Sequence, residues 1–213
     1  MTTPRRGPSV LEYGDRALLV ELGDTGRVLA WTAGLSRAGL EGLGNVVPAA
    51  ETLLVVAAEG ASVDALRRAV AAFPEPPPLP EEETDVVEIP VRYDGPDLSD
   101  VARHTGLSEE EVVEAHTGTP WRVAFGGFAP GFGYLAGGDE RLQVPRRDSA
   151  RTAVPAGAVA LADRFSGVYP RESPGGWQLI GTTDLPMWDL DRDPPALLRP
   201  GVPVRFVSEA GLP

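Results

Sequence analysis

The 213-residue chain contains no cysteine. Disulfides, thiolate nucleophiles and Cys-ligated zinc are removed together. It contains no lysine either, since all 19 basic residues are arginine. Schiff-base catalysis and a phosphate-binding loop built around a lysine are therefore excluded within this chain. The only histidines are His104 and His116, too few for a multi-histidine metal site, and no Gly-x-Ser-x-Gly elbow occurs. No apolar run approaches the length of a membrane span, and Met-Thr-Thr-Pro-Arg-Arg lacks the apolar centre of a secretory signal. Positive charge is scarce as well: a net charge of −12 disfavours nucleic acid and anionic membranes as partners. A cytoplasmic location is the resulting expectation. What remains for chemistry is carboxylates, hydroxyls, arginine, backbone amides and at most two imidazoles.

Glycine (25) and proline (22) are abundant, together roughly a fifth of the chain, which favours a turn-rich β fold without implying disorder. Hydrophobic residues at 42% and charged residues at 23% are those of a globular protein. Residues 1–73 read as a small α+β domain. Ala17–Leu22 forms a buried strand, and Asp24 or Thr25 caps a helix with Val28, Trp31 and Leu35 on its apolar face. Val46-Val47 and Thr52–Ala57 give two strands, and Ser62 caps a second helix. This β-α-β-β-α order, with a final strand supplied later in the chain, predicts a ferredoxin-like unit. Residues 74–85, rich in proline and glutamate, read as an extended solvated linker.

Residues 86–213 form the second expected domain. Val86–Val91 alternates as a strand. Asp97–His104 and Ser108–His116 are short helices, the latter opened by a Ser-x-x-Glu capping box with Glu111. Strands at Arg122–Phe125, Ala158–Leu161, Trp177–Gly181 and Val202–Val207, separated by Gly/Pro turns, indicate a closed or nearly closed β barrel. Three glycine- and proline-rich clusters carry the aromatic residues: Phe128–Leu135, Val154–Val159 and Glu172–Gly181. They read as stiff loops presenting Phe128, Phe132, Tyr134, Tyr169 and Trp177 around a concavity, or else as barrel corners with core aromatics.

His116 ends a helix beside the first cluster, where the helix C-terminus favours a protonated imidazole able to act as acid, base or anion ligand. His104 reads as a helix cap. Ser173-Pro-Gly-Gly-Trp177 is a candidate backbone nest for an oxyanion or phosphate. Arg146, Arg147 and Arg151 bracket the second cluster and suit a carboxylate or phosphate, or else an ordinary solvated turn. Glu172 and Asp184 are the acids beside the third cluster, each a candidate general base.

Gly14–Gly23, Phe128–Leu135, Pro145-Arg146, Val154-Pro-Ala-Gly157 and Glu172–Gly181 together resemble the family of the 5-oxoprolinase B component. That family is also called allophanate hydrolase subunit 1 and includes the sporulation-kinase inhibitor of spore-forming bacteria. The resemblance covers residues 10–207. It implies an α+β N-terminal domain, a cyclophilin-like C-terminal barrel, and a complex with the homologous C component (allophanate hydrolase subunit 2). With a third, A component, that complex opens 5-oxo-L-proline to L-glutamate using ATP, with a divalent cation and a nucleotide site shared with or held by the partners. No metal site is implied in this chain. By the same similarity His116, Phe128, Pro130, Gly131, Phe132, Tyr134, Pro155, Gly157, Ser173, Gly175, Gly176 and Trp177 are candidates for the cleft. The reading of the residues themselves adds Arg146 as a binding candidate and Glu172, with His116, as a candidate catalytic residue. The sequence departs from the family at Arg164–Tyr169, at Pro48–Glu51 and at Gly133. Competing readings are an allophanate hydrolase or urea-carboxylase-like carboxyltransferase component, a histidine-kinase inhibitor and, from fold alone, a prolyl isomerase.

Overall fold

The computed structural model describes residues 8–79 and 86–209, which form two compact units. The linker residues 80–85 and the ends at 1–7 and 210–213 lie outside the described residues.

In the first unit a four-stranded antiparallel sheet carries two helices. Its strands are β1 (Ser9–Tyr13), β2 (Ala17–Glu21), β3 (Leu43–Pro48) and β4 (Thr52–Ala57), in the order β1-β2-β4-β3. Helix α1 (Thr25–Ala38) connects β2 to β3, and α2 (Val63–Ala71) follows β4. Local signals set the helix starts: Asp24 accepts from the Arg27 amide at 2.8 Å and Ser62 from the Ala65 amide at 3.3 Å. Gly39, in the left-handed region at φ 57°, closes α1. The core gathers Leu18, Val20, Trp31, Leu35, Leu53, Val55, Leu66 and Val70. The fourth strand is not supplied from later in the chain. It is β1, an edge strand joined to β2 by a tight hairpin, with Leu11 and Tyr13 exposed. A second departure concerns the start of the presumed linker, which lies against α1. Arg27 grips Glu75 through two contacts of 2.7 and 2.8 Å, and the Trp31 indole donates to the same carboxylate at 3.2 Å.

The second unit is built on a seven-stranded sheet. Along the chain come β5 (Val87–Val91), α3 (Leu98–Thr105), α4 (Glu109–Gly118), β6 (Trp121–Gly126), β7 (Gly133–Ala136), β8 (Arg151–Val154), β9 (Ala158–Ala162), β10 (Phe165–Val168), β11 (Ser173–Gly175), β12 (Gln178–Thr182) and β13 (Pro203–Ser208). The sheet order is β12-β9-β10-β7-β6-β13-β5, with β8 and β11 forming a separate pair. The pair β5–β13 is parallel, in register from Val87 beside Val204 to Val91 beside Ser208. The capping box on α4 is present, Ser108 and Glu111 each bonding the other's backbone amide.

The two ends of this sheet meet, which makes it nearly a closed barrel. Arg92 and Thr182 exchange backbone bonds of 2.9 and 2.8 Å, and the Gly95 and Asp97 amides continue the seam onto Ile180 and Leu179. The approach is so close that glycine is required on both sides. A Cβ at Gly95 would collide with the Ile180 backbone, and one at Gly181 with the Arg92 carbonyl. Across the same seam Arg92 holds Asp184 bidentately at 2.8 and 3.0 Å, which draws the Asp184 carboxyl below its usual range. Strands β7, β8, β10 and β11 were not expected: β7, β10 and β11 are built on the glycine, proline and aromatic residues that read as loops, and β8, Arg-Thr-Ala-Val, runs into the second cluster. The cluster Phe128–Leu135 is thus half loop and half strand.

Candidate functional site

The three glycine-rich clusters converge within the second unit. Phe132 is the hub, with ring centroids 5.4 Å from Phe128, 5.0 Å from Tyr134, 5.4 Å from Tyr169 and 5.4 Å from Trp177. All four contacts are edge-to-face, the arrangement that sets positive ring edges against negative faces. Tyr134 also stacks on Phe125 at 4.4 Å. Glycine permits this density. A Cβ at Gly175 would strike the Tyr169 ring, and one at Gly167 would press on both Phe132 and Trp177.

Phe132, Tyr169 and Trp177 are buried, Tyr134 is half-buried and Phe128 is 57% exposed. The wall therefore presents one open ring backed by interred ones. Phe128 sits at φ 64°, a conformation costly for a bulky residue. The loop holds it there through Gly127–Phe132 and Phe132–Ala129 backbone bonds of 3.2 and 3.0 Å. Gly131, at φ 85°, lets the same loop close against Met187 and Trp188. Pro130 is exposed beside it.

Charge enters from the segment before β8. The Arg146 guanidinium lies over the Trp177 ring at 6.0 Å, is exposed, and makes no ion pair among the described residues. Its neighbours are committed otherwise. Asp97, almost wholly buried, accepts from Arg147 Nη1 at 2.5 Å, from Arg151 Nη2 at 2.7 Å and from the Leu179 amide at 2.7 Å. Burial pushes its carboxyl upward, but these donors outweigh that effect and hold it below the usual carboxylate range. Asp97 stands at the N-cap position of α3 without capping it. Its side chain ties the helix to the barrel instead. Of the three arginines, Arg146 alone makes no ion pair among the described residues, while Arg147 keeps its Nε and Arg151 its Nη1 without a hydrogen-bond partner.

The Gly157 and Ser173 clusters buttress this wall. Gly157 bonds the Tyr169 carbonyl at 2.7 Å, and a Cβ there would strike Thr183. Pro155 is exposed at the same turn. Ser173–Gly175 does not form the expected nest. It pairs as a strand with β8, the Trp177 amide bonds the Tyr169 hydroxyl, and the Gly176 carbonyl accepts from the Arg147 amide at 2.8 Å. Ser173 is buried, its hydroxyl donating to the Arg171 carbonyl at 3.2 Å. Burial pushes the Tyr169 phenol above its ordinary value, so it remains a neutral hydroxyl.

A profile described as carboxyltransferase domain, subdomain C and D, matches residues 8–198. The chain belongs to this family. It is 45% identical over 173 residues to the B component of 5-oxoprolinase from Escherichia coli O157:H7, covering 80% of this chain and 77% of that protein. Among solved structures it is similar to TTHA0988, with a TM-score of 0.76 and 40% identity over 92% of this chain. The chain spans 41% of the length of TTHA0988. It also shares its fold with the K. lactis urea amidolyase at 17% identity and a TM-score of 0.70, covering 94% of this chain and 15% of that one.

Two candidates for acid–base chemistry in this carboxyltransferase subdomain stand away from the aromatic wall. His116 is fully buried, and the expectation of a protonated helix-end imidazole is corrected here. Its Nδ1 meets the Tyr93 hydroxyl at 2.7 Å and its Nε2 the Ser166 hydroxyl at 2.9 Å, while Phe206 stacks on the ring at 4.1 Å. Burial pushes its pKa down to about 3, so the ring is neutral at physiological pH. Ser166 and Gly167 point to opposite faces of β10, which places that strand between His116 and the Phe132–Trp177 rings. His116 thus supports the site from behind. Glu172 is exposed just before β11. Asp97 escaped the sequence reading because its partners lie 50 to 82 residues away, and no local pattern announces such a contact. Among the described residues no group of three or more His, Asp or Glu could hold a metal ion, and no helix is long and apolar enough to cross a membrane.

Proposed function

We propose that this chain is the B component of an ATP-dependent 5-oxoprolinase, a hydrolase complex that opens 5-oxo-L-proline to L-glutamate together with an A and a C component. The observation that carries this reading is the 45% identity to the E. coli 5-oxoprolinase B component across most of both chains. We read the first unit as ferredoxin-like and the second as a cyclophilin-like barrel, inactive alone. The described wall has ring faces and an arginine but no carboxylate or imidazole poised within it, so this chain contributes binding and orientation.

Amide resonance makes a lactam a poor electrophile. Phosphorylation of the lactam oxygen by ATP would activate the ring carbon. Water would add there, the C–N bond would break with a proton passing to the departing nitrogen, and the acyl phosphate so formed would hydrolyse to glutamate and phosphate. In this chain Arg146 is the residue fitted to meet an oxyanion beside a planar group stacked near Trp177 or Phe128. With no lysine and no phosphate loop, the remainder of the nucleotide site, with any divalent cation, belongs to the A or the C component.

Reconstitution tests this directly. Purified chain mixed with the A and C components should release glutamate from 5-oxo-L-proline only when ATP and all three polypeptides are present. Turnover by this chain and the C component without the A component would contradict the three-part assignment, and preferential turnover of allophanate would favour the carboxyltransferase alternative. In the same assay Phe128→Gly should lower turnover at least about tenfold by removing the open ring. Its thermal stability should stay within about 1 kcal/mol of the parent, because the ring is mostly solvated and glycine relieves the positive φ. A large loss of stability with full turnover would show that the ring is structural.

A further inference from the structure

A cavity of about 400 Å³ opens between α3 and the segment before β8, with Arg146, Arg147, Ser149 and Gln178 among its lining residues. Gln178 is only 4% exposed. Its Nε2 donates to the Pro145 carbonyl at 3.1 Å, which fixes the amide, since the flipped orientation would set oxygen against oxygen. The Oε1 atom is left buried without a hydrogen-bond partner. Arg147 is in a complementary position. Its Nη1 is taken by Asp97, and its Nε is buried with no acceptor. Native interiors rarely leave such atoms unmatched. Here an orphan acceptor and an orphan donor, both buried, belong to residues that line the same cavity. A third such atom, Arg151 Nη1, is on the residue that shares Asp97 with Arg147.

The charges favour an anion. Arg103 is neutralised by Asp100, Arg147 shares Asp97 with Arg151, and Arg146 is free of any ion pair among the described residues. Asp148 is the remaining lining carboxylate, and it is exposed. We propose that this cavity binds a small oxyanion carrying an adjacent N–H or O–H donor. The anionic oxygens meet Arg146 and Arg147, and the donor meets Gln178 Oε1. A carboxylate beside a lactam N–H has this chemistry, and so does hydrogen phosphate. The lactam acid as probe rests on the 5-oxoprolinase reading; the site itself rests on the unmatched atoms and Arg146.

Calorimetric titration of the full-length chain at low salt tests the site with three probes: 5-oxo-L-proline, its N-methyl analogue and inorganic phosphate. At least one of 5-oxo-L-proline and phosphate should bind saturably with one-to-one stoichiometry. The Arg146→Ala variant, altered at an exposed position, should weaken that binding about tenfold or more. Gln178→Leu should weaken a donor-bearing probe by a similar factor and leave the N-methyl analogue unchanged. Gln178→Glu, closer in shape, should repel every anion, and a thermal melt of each variant establishes that it folds. Failure of both 5-oxo-L-proline and phosphate to bind, or binding indifferent to both Arg146 and Gln178, overturns the inference. If the reconstituted complex nevertheless turns over 5-oxo-L-proline, the functional reading survives that failure. Phosphate binding without 5-oxo-L-proline binding upholds the oxyanion site and assigns it to phosphate.

Discussion

Replacing Asp97 with alanine should lower the stability of the second unit by about 3–5 kcal/mol, the range for removing one partner of a buried ion cluster. Arg147 and Arg151 would be left facing each other without their shared carboxylate, and the Leu179 amide would lose its acceptor. Urea denaturation of the full chain measures the loss. Hydrogen exchange at Leu179 locates it, because that amide should become one of the fastest-exchanging in β12. Removing all three charges, as Asp97→Leu with Arg147→Leu and Arg151→Met, should recover a substantial part of the deficit, since no uncompensated charge remains. If Asp97→Ala alone is neutral, the cluster contributes nothing and the joint between α3 and the barrel is held by packing. The acid limb follows from the same contacts. The folded-state carboxyl titrates below its unfolded value, so its contribution is present above about pH 4 and fades as pH falls through the depressed value.

His116 governs the pH range above that limb. Its folded pKa of about 3 lies below the unfolded value near 6.5. Stability is therefore complete above pH 6.5 and declines as pH falls, because the unfolded chain takes up a proton that the folded ring refuses. Between pH 7 and pH 4 the loss should reach about 3 kcal/mol, at 1.36 kcal/mol per pKa unit. The second imidazole, His104, is exposed on α3. A His116→Gln variant should be less stable at pH 7, having lost the stacking on Phe206, yet nearly flat down to pH 4.5. Denaturant midpoints collected across the range decide it. Parallel pH slopes in parent and variant would mean that the ring is not held neutral.

These two residues also mark where the sequence stops being informative. Helix starts were legible because a cap and its target lie within three residues, as at Asp24, Ser62 and Ser108 with Glu111. The strands β2, β4, β9 and β13 were legible from short apolar runs. In contrast, β7 and β10 are built from glycine with aromatic or polar neighbours, a composition that reads as loop until adjacent strands supply the ladder. The edge strand β1, Ser-Val-Leu-Glu-Tyr, exposes most of its side chains and shows no strict alternation of apolar and polar residues. The glycine clusters did point to one place, since the rings of Phe128, Phe132, Tyr134, Tyr169 and Trp177 share contacts. Their burial did not follow from sequence, because it depends on glycines such as Gly167 and Gly175 admitting rings from other segments. Proximity to the first cluster along the chain made His116 a candidate. The strand β10, which intervenes in space, removed it.

The parallel register of β5 against β13 has a mechanical consequence. These are the first and last strands of the second unit, and each runs from Val87 or Val204 toward Val91 or Ser208. A force pulling the chain from residue 87 at one end and residue 208 at the other drags the strands past each other along their axes. The interstrand bonds are then loaded together in shear instead of being unzipped one at a time. Under tension the barrel should rupture abruptly at high load, with β5 and β13 acting as its clasp.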